Sequence, residues 1–244
     1  MVQWQKSLFD GRDLLVRLGR GHQAAEDGYN NVVKGLLTLN DEIAFCEITS
    51  LEDDLLLPWL DLYETTFPPN EKVLVSHFLS LLKAKGKGKA GQEFMLAAVD
   101  RQGKLLGLAC YQVMAEAGVA VLWFLATDAQ ARNHGLGGNF YDHIVGLAGQ
   151  AGCQALLLEV EIPELCEQEE ARRLAARRIN FYRRHGAFVL EGVDYLQYVG
   201  WHQPPTPMYL MVHPLGSLDA AACFALARAY AGDALTQSGS LALA

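Results

Sequence analysis

Three apolar runs follow one another between residues 93 and 127: "EFMLAAVD", "KLLGLACYQVMAE" and "VAVLWFLAT", separated only by the polar breaks "RQGK" and "AEAG". Breaks of that size admit a hairpin, whereas a parallel crossover needs a dozen or more residues. The three runs are therefore read as antiparallel neighbours in one sheet. Any fold assigned to this chain has to be built around that meander.

The flanking segments extend the pattern. Upstream, "IAFCEI" (43–48) reads as a strand, and "DDLLLPWLDLYETTF" and "EKVLVSHFLSLLK" repeat apolar residues at helical spacing, with "FPPN" (67–70) ending the first helix. Downstream, "LGGNFYDHIVGLAGQAG" places Phe140, Ile144, Leu147 and Ala148 on one face of a helix. "QALLLEVE" (154–161) follows as a strand, then an arginine-rich helix stopping at Gly186, then the strands "AFVLEG" and "PMYLMVHP". The order β α α β β β α β α β β is α+β, a mixed and mostly antiparallel sheet flanked by helices, without regular βαβα alternation. "SLDAAACFALARAYA" can add a helix, and "GDALTQSGSLALA" reads as a frayed tail. The organisation expected is an N-terminal extension (1–42), a domain (43–214), and a C-terminal helix and tail (215–244).

Composition narrows the function classes. A net charge of −8 argues against nucleic acid as the main partner and suits a cationic small molecule better. One locally basic exception is "ARRLAARRINFYRR", with six arginines. Cys46, Cys110, Cys153, Cys166 and Cys223 are widely spaced and odd in number, so free thiols are expected and a zinc or other metal site is not. No apolar run nears the roughly 20 residues of a membrane span, and the N-terminal residues lack a signal peptide's apolar stretch. A cytoplasmic protein with no membrane partner is expected. The Lys/Gly loop "AKGKGKAGQ" lacks a phosphate-loop spacing and a preceding strand, and reads as a solvated turn.

Directly after the third run comes "QARNHGLGG" (130–138). Glu159, about twenty residues beyond, would suit a dinucleotide fold, but Phe140 stands where G-x-G-x-x-G needs its third glycine. Two readings remain: a glycine turn that merely starts a helix, and an anion cradle. In the cradle, glycines let N–H groups at a helix start approach a ligand, and Arg132 adds a mobile cation.

Strand, then Arg132-Asn133-His134-Gly135-Leu136-Gly137, then amphipathic helix resembles the Q/R-x-x-G-x-G/A motif of the GNAT superfamily of acyl-CoA-dependent N-acetyltransferases. "INFYRRHGAF" (179–188) resembles that family's later helix-to-strand motif, and the element order from Ile43 to His213 agrees with its fold, in which the central strands splay. The resemblance implies acetyl-CoA as cosubstrate. The backbone amides of His134, Gly135, Leu136, Gly137 and Gly138 would hold its pyrophosphate with Arg132 and Asn133 beside them, and His134 would serve through its N–H. The main chain of Leu125 and Thr127 would pair with the pantetheine arm beside a bulge that opens a slot, Asn180 would touch the cofactor, and Tyr182 would protonate the departing thiolate. Arg177 or Arg183 could meet the ribose phosphate.

The implied reaction is direct attack of a primary amine, from a small molecule or peptide, on the thioester. An ammonium must first lose a proton. Some members keep a glutamate on the strand before the cradle, where this chain has Val121. Glu161 and Glu64 are the leading replacements, with Glu159 and Glu71 behind them; Ala129 and Ala131 stand where many members have a proline and an aromatic. The missing strand glutamate motivates an alternative, a non-catalytic acyl-CoA-binding module acting through a protein partner. The alanine-rich C-terminal helix could pack on its own domain or on a second copy, and a homodimer is slightly favoured.

Overall fold

The computed structural model describes residues 43–69, 71–85, 92–132, 134–198 and 204–244. The expected N-terminal extension, most of the Lys/Gly loop and Asn133 lie outside them. Eight strands follow the hydrogen-bonded order β1-β2-β3-β4-β5-β7-β6-β8 in a mixed, mostly antiparallel sheet. The chain divides into two compact units, one of residues 2–109 with Ala126–Gly137, the other of Cys110–Leu125 with Gly138–Ala244.

In the first unit, β1 (Ile43–Ile48) pairs antiparallel with β2 (Glu93–Asp100), from Ile43 opposite Asp100 to Ile48 opposite Met95. Helix α1 (Leu56–Thr66) starts later than its apolar pattern does, because Asp53 forms a turn in which its side chain accepts from the Leu55 N–H at 3.0 Å. Pro58 falls in the first turn, where its missing N–H costs no bond. Helix α2 (Val75–Lys85) also starts late: Val73 is held by the Tyr63 hydroxyl, which accepts from its N–H at 2.9 Å and donates to its carbonyl at 3.1 Å. Trp59, Tyr63 and Phe78 form a buried aromatic cluster, and the Trp59 indole N–H donates to the Leu96 carbonyl at 2.9 Å. Strand β3 (Leu105–Met114) begins in this unit.

In the second unit, β4 (Val119–Thr127, here to Leu125) runs parallel to β5 (Ala155–Glu161). Helix α3 (Leu136–Gln150, here from Gly138) buries Phe140, Tyr141, Ile144 and Ala148. Helix α4 (Glu169–Arg184) carries Glu169 and Glu170 in its first turn and Arg183 and Arg184 in its last, which complements the helix dipole. Strand β7 (Thr206–Pro214) lies antiparallel to β5, and β6 (Phe188–Gln197) antiparallel to β7. Helix α5 (Ala220–Ala231) begins at Asp219, whose carboxylate accepts from the Ala222 N–H at 2.8 Å. All five cysteines are free, and no helix among the described residues is long and apolar enough to cross a membrane.

Two segments differ from expectation. The tail read as frayed is strand β8 (Leu235–Leu243), antiparallel to β6 and finished by two hydrogen bonds between Val189 and Ala244. Its polar sequence hides it because only Leu235 is buried, as an edge strand with one solvated face permits. Strand β6, expected to stop near Gly192, runs five residues beyond it. Gly192 is a bulge: its φ is +77°, the β6–β8 register shifts there, and a Cβ would collide with the Ser240 carbonyl. Gly192→Ala is accordingly expected to cost about 2–4 kcal/mol. Gly239→Ala, whose Cβ would meet the Gly192 Cα at an ordinary 3.5 Å, should cost less than about 1 kcal/mol. Urea unfolding of both variants checks the contrast.

Candidate active site

The β4–β5 ladder is short. Val119 to Leu122 pair with Ala155 to Leu158, and pairing stops there although β5 continues to Glu161 and β4 onward through Trp123, Phe124 and Leu125. This is not fraying, because β5 stays in register with β7 as far as Glu161 opposite Met208. The side of β5 facing β4 therefore loses its partner while the other side keeps one. Beyond the last pair on β4 lie the half-buried Trp123, Phe124 and Leu125.

The glycine loop belongs to the first unit as far as Gly137. Asp128 shapes it: its N–H donates to the Leu106 carbonyl at 2.8 Å, and its carboxylate accepts from the Gln130 N–H at 2.9 Å, capping a single 3₁₀ turn. Arg132 and His134 are exposed, and Arg132 donates through Nε to the Thr127 carbonyl at 3.4 Å. Gly135 has φ +77° with nothing within 4 Å of a would-be Cβ, so it is required by backbone conformation and opens onto free space. Leu136 is buried and starts α3, whose first turn holds no acidic residue. An exposed arginine, a left-handed glycine and a helix start together suit a phosphate oxyanion.

In the second unit, Gly138 has a different reason for being glycine. A Cβ there would lie 2.6 Å from Cε1 of His185, whose Nδ1 bonds the Asp142 carboxylate at 2.8 Å. The imidazole thus packs directly on the second residue after the helix start, a role that the reading of "RRHGA" as a helix stop missed. Beside it, Tyr141 packs on Phe181, Tyr182 and His185, and its hydroxyl meets His213 Nδ1 at 3.1 Å.

Tyr182 is buried on the face of α4 that also buries Ala175 and Ile179. Burial, with Glu161 adding and Arg178 opposing, pushes its phenol up to about 12, so it stays protonated at neutral pH. Asn180 does not join it. It is exposed and lines a cleft of about 360 Å³ with Glu164, Arg183, Glu191 and Tyr209. Arg177 is exposed, and Arg183 donates to the Ala244 carbonyl at 3.1 Å.

The carboxylates differ in their partners. Glu161 is ion-paired with Arg178; in the first unit Glu64 pairs with Lys72 at 2.8 Å. Glu159 accepts from the Tyr195 and Tyr230 hydroxyls and from Gln197 Nε2, and burial raises its pKa against those three hydrogen bonds. Val193, Tyr195 and Gln197 alternate along β6, a period-2 signal that extending the strand past Gly192 would have exposed; Tyr230, on α5, has no such signal.

Residues 56–187, more than half of the chain, match the sequence profile of the acetyltransferase (GNAT) family. The chain belongs to the GNAT family. A GNAT-family protein from Bacteroides thetaiotaomicron has a similar structure, with a TM-score of 0.57 and 28% identity over 74% of this chain and 90% of its own. The fold alone is shared with a GNAT-family protein from Desulfovibrio desulfuricans (TM-score 0.51, 20% identity, 71% and 99% covered). The same holds for a spermidine/spermine N-acetyltransferase from Vibrio cholerae (0.52, 13% identity, 73% and 95%). No curated protein sequence matches the chain significantly. The GNAT-matched span holds the loop, Glu161, Asn180 and Tyr182, whereas Tyr195, Gln197, His213 and Tyr230 lie beyond it.

The Tyr141–His213 pair carries a pH signature. Burial lowers the pKa of His213, His185 adds to this and Asp142 opposes it. A histidine so lowered leaves stability intact above the ordinary value of about 6.5 and removes it as pH falls below that, where the unfolded chain takes up the proton first. His143 is lowered by burial too, so the wild type and a His213→Gln variant should both lose thermal stability in acid. Thermal melts from pH 8 to pH 5 should show a smaller acid-side decline in His213→Gln.

Proposed function

We propose that the protein is an N-acetyltransferase that moves an acetyl group from acetyl-CoA to a primary amine of a small molecule or peptide by direct attack. The observation that carries this reading is the interrupted β4–β5 ladder in a GNAT-family chain, with Arg132 and the left-handed Gly135 next along the chain. Bound acetyl-CoA supplies an activated acetyl thioester. The backbone N–H groups from His134 to Gly138 hold its pyrophosphate, with the Arg132 side chain beside them. The main chain of Leu125 and Thr127 pairs with the pantetheine arm, for which Arg132 releases the Thr127 carbonyl, and Asn180 adds a polar contact. Tyr182, kept as a phenol by burial, donates its proton toward the leaving sulfur as the carbon–sulfur bond breaks. Glu161 or Glu64, ion-paired with Arg178 and Lys72 respectively, takes the proton that the ammonium gives up.

CoA and acetyl-CoA are expected to raise the melting temperature, with NAD and ATP giving smaller shifts or none; stabilisation by NAD and none by CoA would sink the reading. Thiol release across an amine panel separates an enzyme from a module that only binds acyl-CoA. Gly135→Asp is the sharper probe, because Asp tolerates a left-handed backbone and has room there, so its effect is the added negative charge. It should weaken acetyl-CoA binding at least about tenfold while costing about 1 kcal/mol of stability. Tyr182→Phe should lower kcat by about ten- to a hundredfold with little change in acetyl-CoA affinity.

A further inference from the structure

Glu159 stands where β4 and β5 part. Leu158 is the last residue of β5 that pairs with β4 and Glu159 the next, and Glu159 is half-buried. Three donors converge on it: the Tyr195 hydroxyl and, at 3.0 Å, the Tyr230 hydroxyl on Oε1, and Gln197 Nε2 on the other oxygen. A carboxylate offers about four acceptor positions, so one remains, on Oε2. The Tyr230 ring meets edge-on the indole of Trp123, the first residue of β4 beyond its pairing with β5, with centroids 6.2 Å apart.

What singles this group out is the neutrality of its partners. Among the described residues Glu159 has no cationic neighbour, unlike Glu161 with Arg178 and Glu64 with Lys72. Hydrogen bonds from phenols and an amide orient a carboxylate without cancelling its charge, and a charge withdrawn from water is costly until a countercharge arrives. Burial opposes ionisation here, as expected of an anion lacking its cation. Aromatic rings on one side and an open acceptor position on the other are features that suit an alkylammonium.

We propose that Glu159 is the anionic anchor for the acceptor's ammonium group, with Tyr195, Gln197 and Tyr230 positioning its carboxylate and Trp123 and Tyr230 lining the approach. This rests on the acetyltransferase reading and narrows it. The acceptor class is an alkyl primary amine with no carboxylate beside its nitrogen. Helix α5, which lies outside the GNAT-matched residues, is then part of the acceptor site.

The test pairs steady-state acetylation of n-butylamine with calorimetric titration of n-butylammonium into the CoA-loaded full chain. Glu159→Gln should raise the amine KM at least about tenfold, leave the acetyl-CoA KM within about twofold, and abolish the calorimetric signal. Tyr230→Phe keeps the ring against Trp123 and removes one donor, and should raise the amine KM about three- to tenfold with the melting temperature within a few degrees. If Glu159→Gln does not fold, Tyr230→Phe decides. Wild-type amine KM and butylammonium affinity in the folded variants would overturn the anchor, as would a wild type that binds no butylammonium. Failure of the acetyltransferase reading has a different appearance: no protein turns over any amine, yet the titration still separates wild type from variant.

Discussion

Strands β4 and β5 share hydrogen bonds over four residue pairs and then part, and this interruption decides what the neighbouring elements can present. Were the ladder continued, the facing edges of β4 and β5 would be joined to the ends of both strands and closed to a ligand. The gap persists because β5 is held on its other side by β7 along its whole length. One edge of β5 is thus paired along its whole length and the other only as far as Leu158.

Negative charge is graded by its company. Glu64 and Glu161 are neutralised by lysine and arginine, whereas Glu159 is surrounded by dipoles alone. An acidic chain has many carboxylates, and net charge by itself does not distinguish them. The distinction comes from which elements cross nearby: β6 and α5 bring phenols and an amide to Glu159, and α4 brings Arg178 to Glu161.

How much of this was legible in the sequence follows from the physics of each signal. The hairpin-separated strands, the glycine loop and the arginine-rich helix announce themselves through period, turn chemistry and end charges, all local properties. Strand β8 does not, since its stability lies in backbone pairing to β6 and a single buried leucine. Gly192 read as a stop because a glycine inside a strand and a glycine after one look alike in one dimension. The reason for a glycine at 138 is equally non-local, since the histidine that fills the place of its side chain lies 47 positions away and only the fold brings them together. The convergence on Glu159 is non-local in the same way, drawing on β5, β6 and α5.

The placement of Tyr230 has a consequence for how such a protein can diversify. The motifs that match the family end at residue 187, and the phenol on α5 arrives more than forty residues later on a helix followed directly by an edge strand. Sequence drift in that final segment can retune the surroundings of one glutamate while the glycine loop is left untouched. Inheritance of the family's motifs and change around that glutamate thereby become separable events, carried by different stretches of one chain.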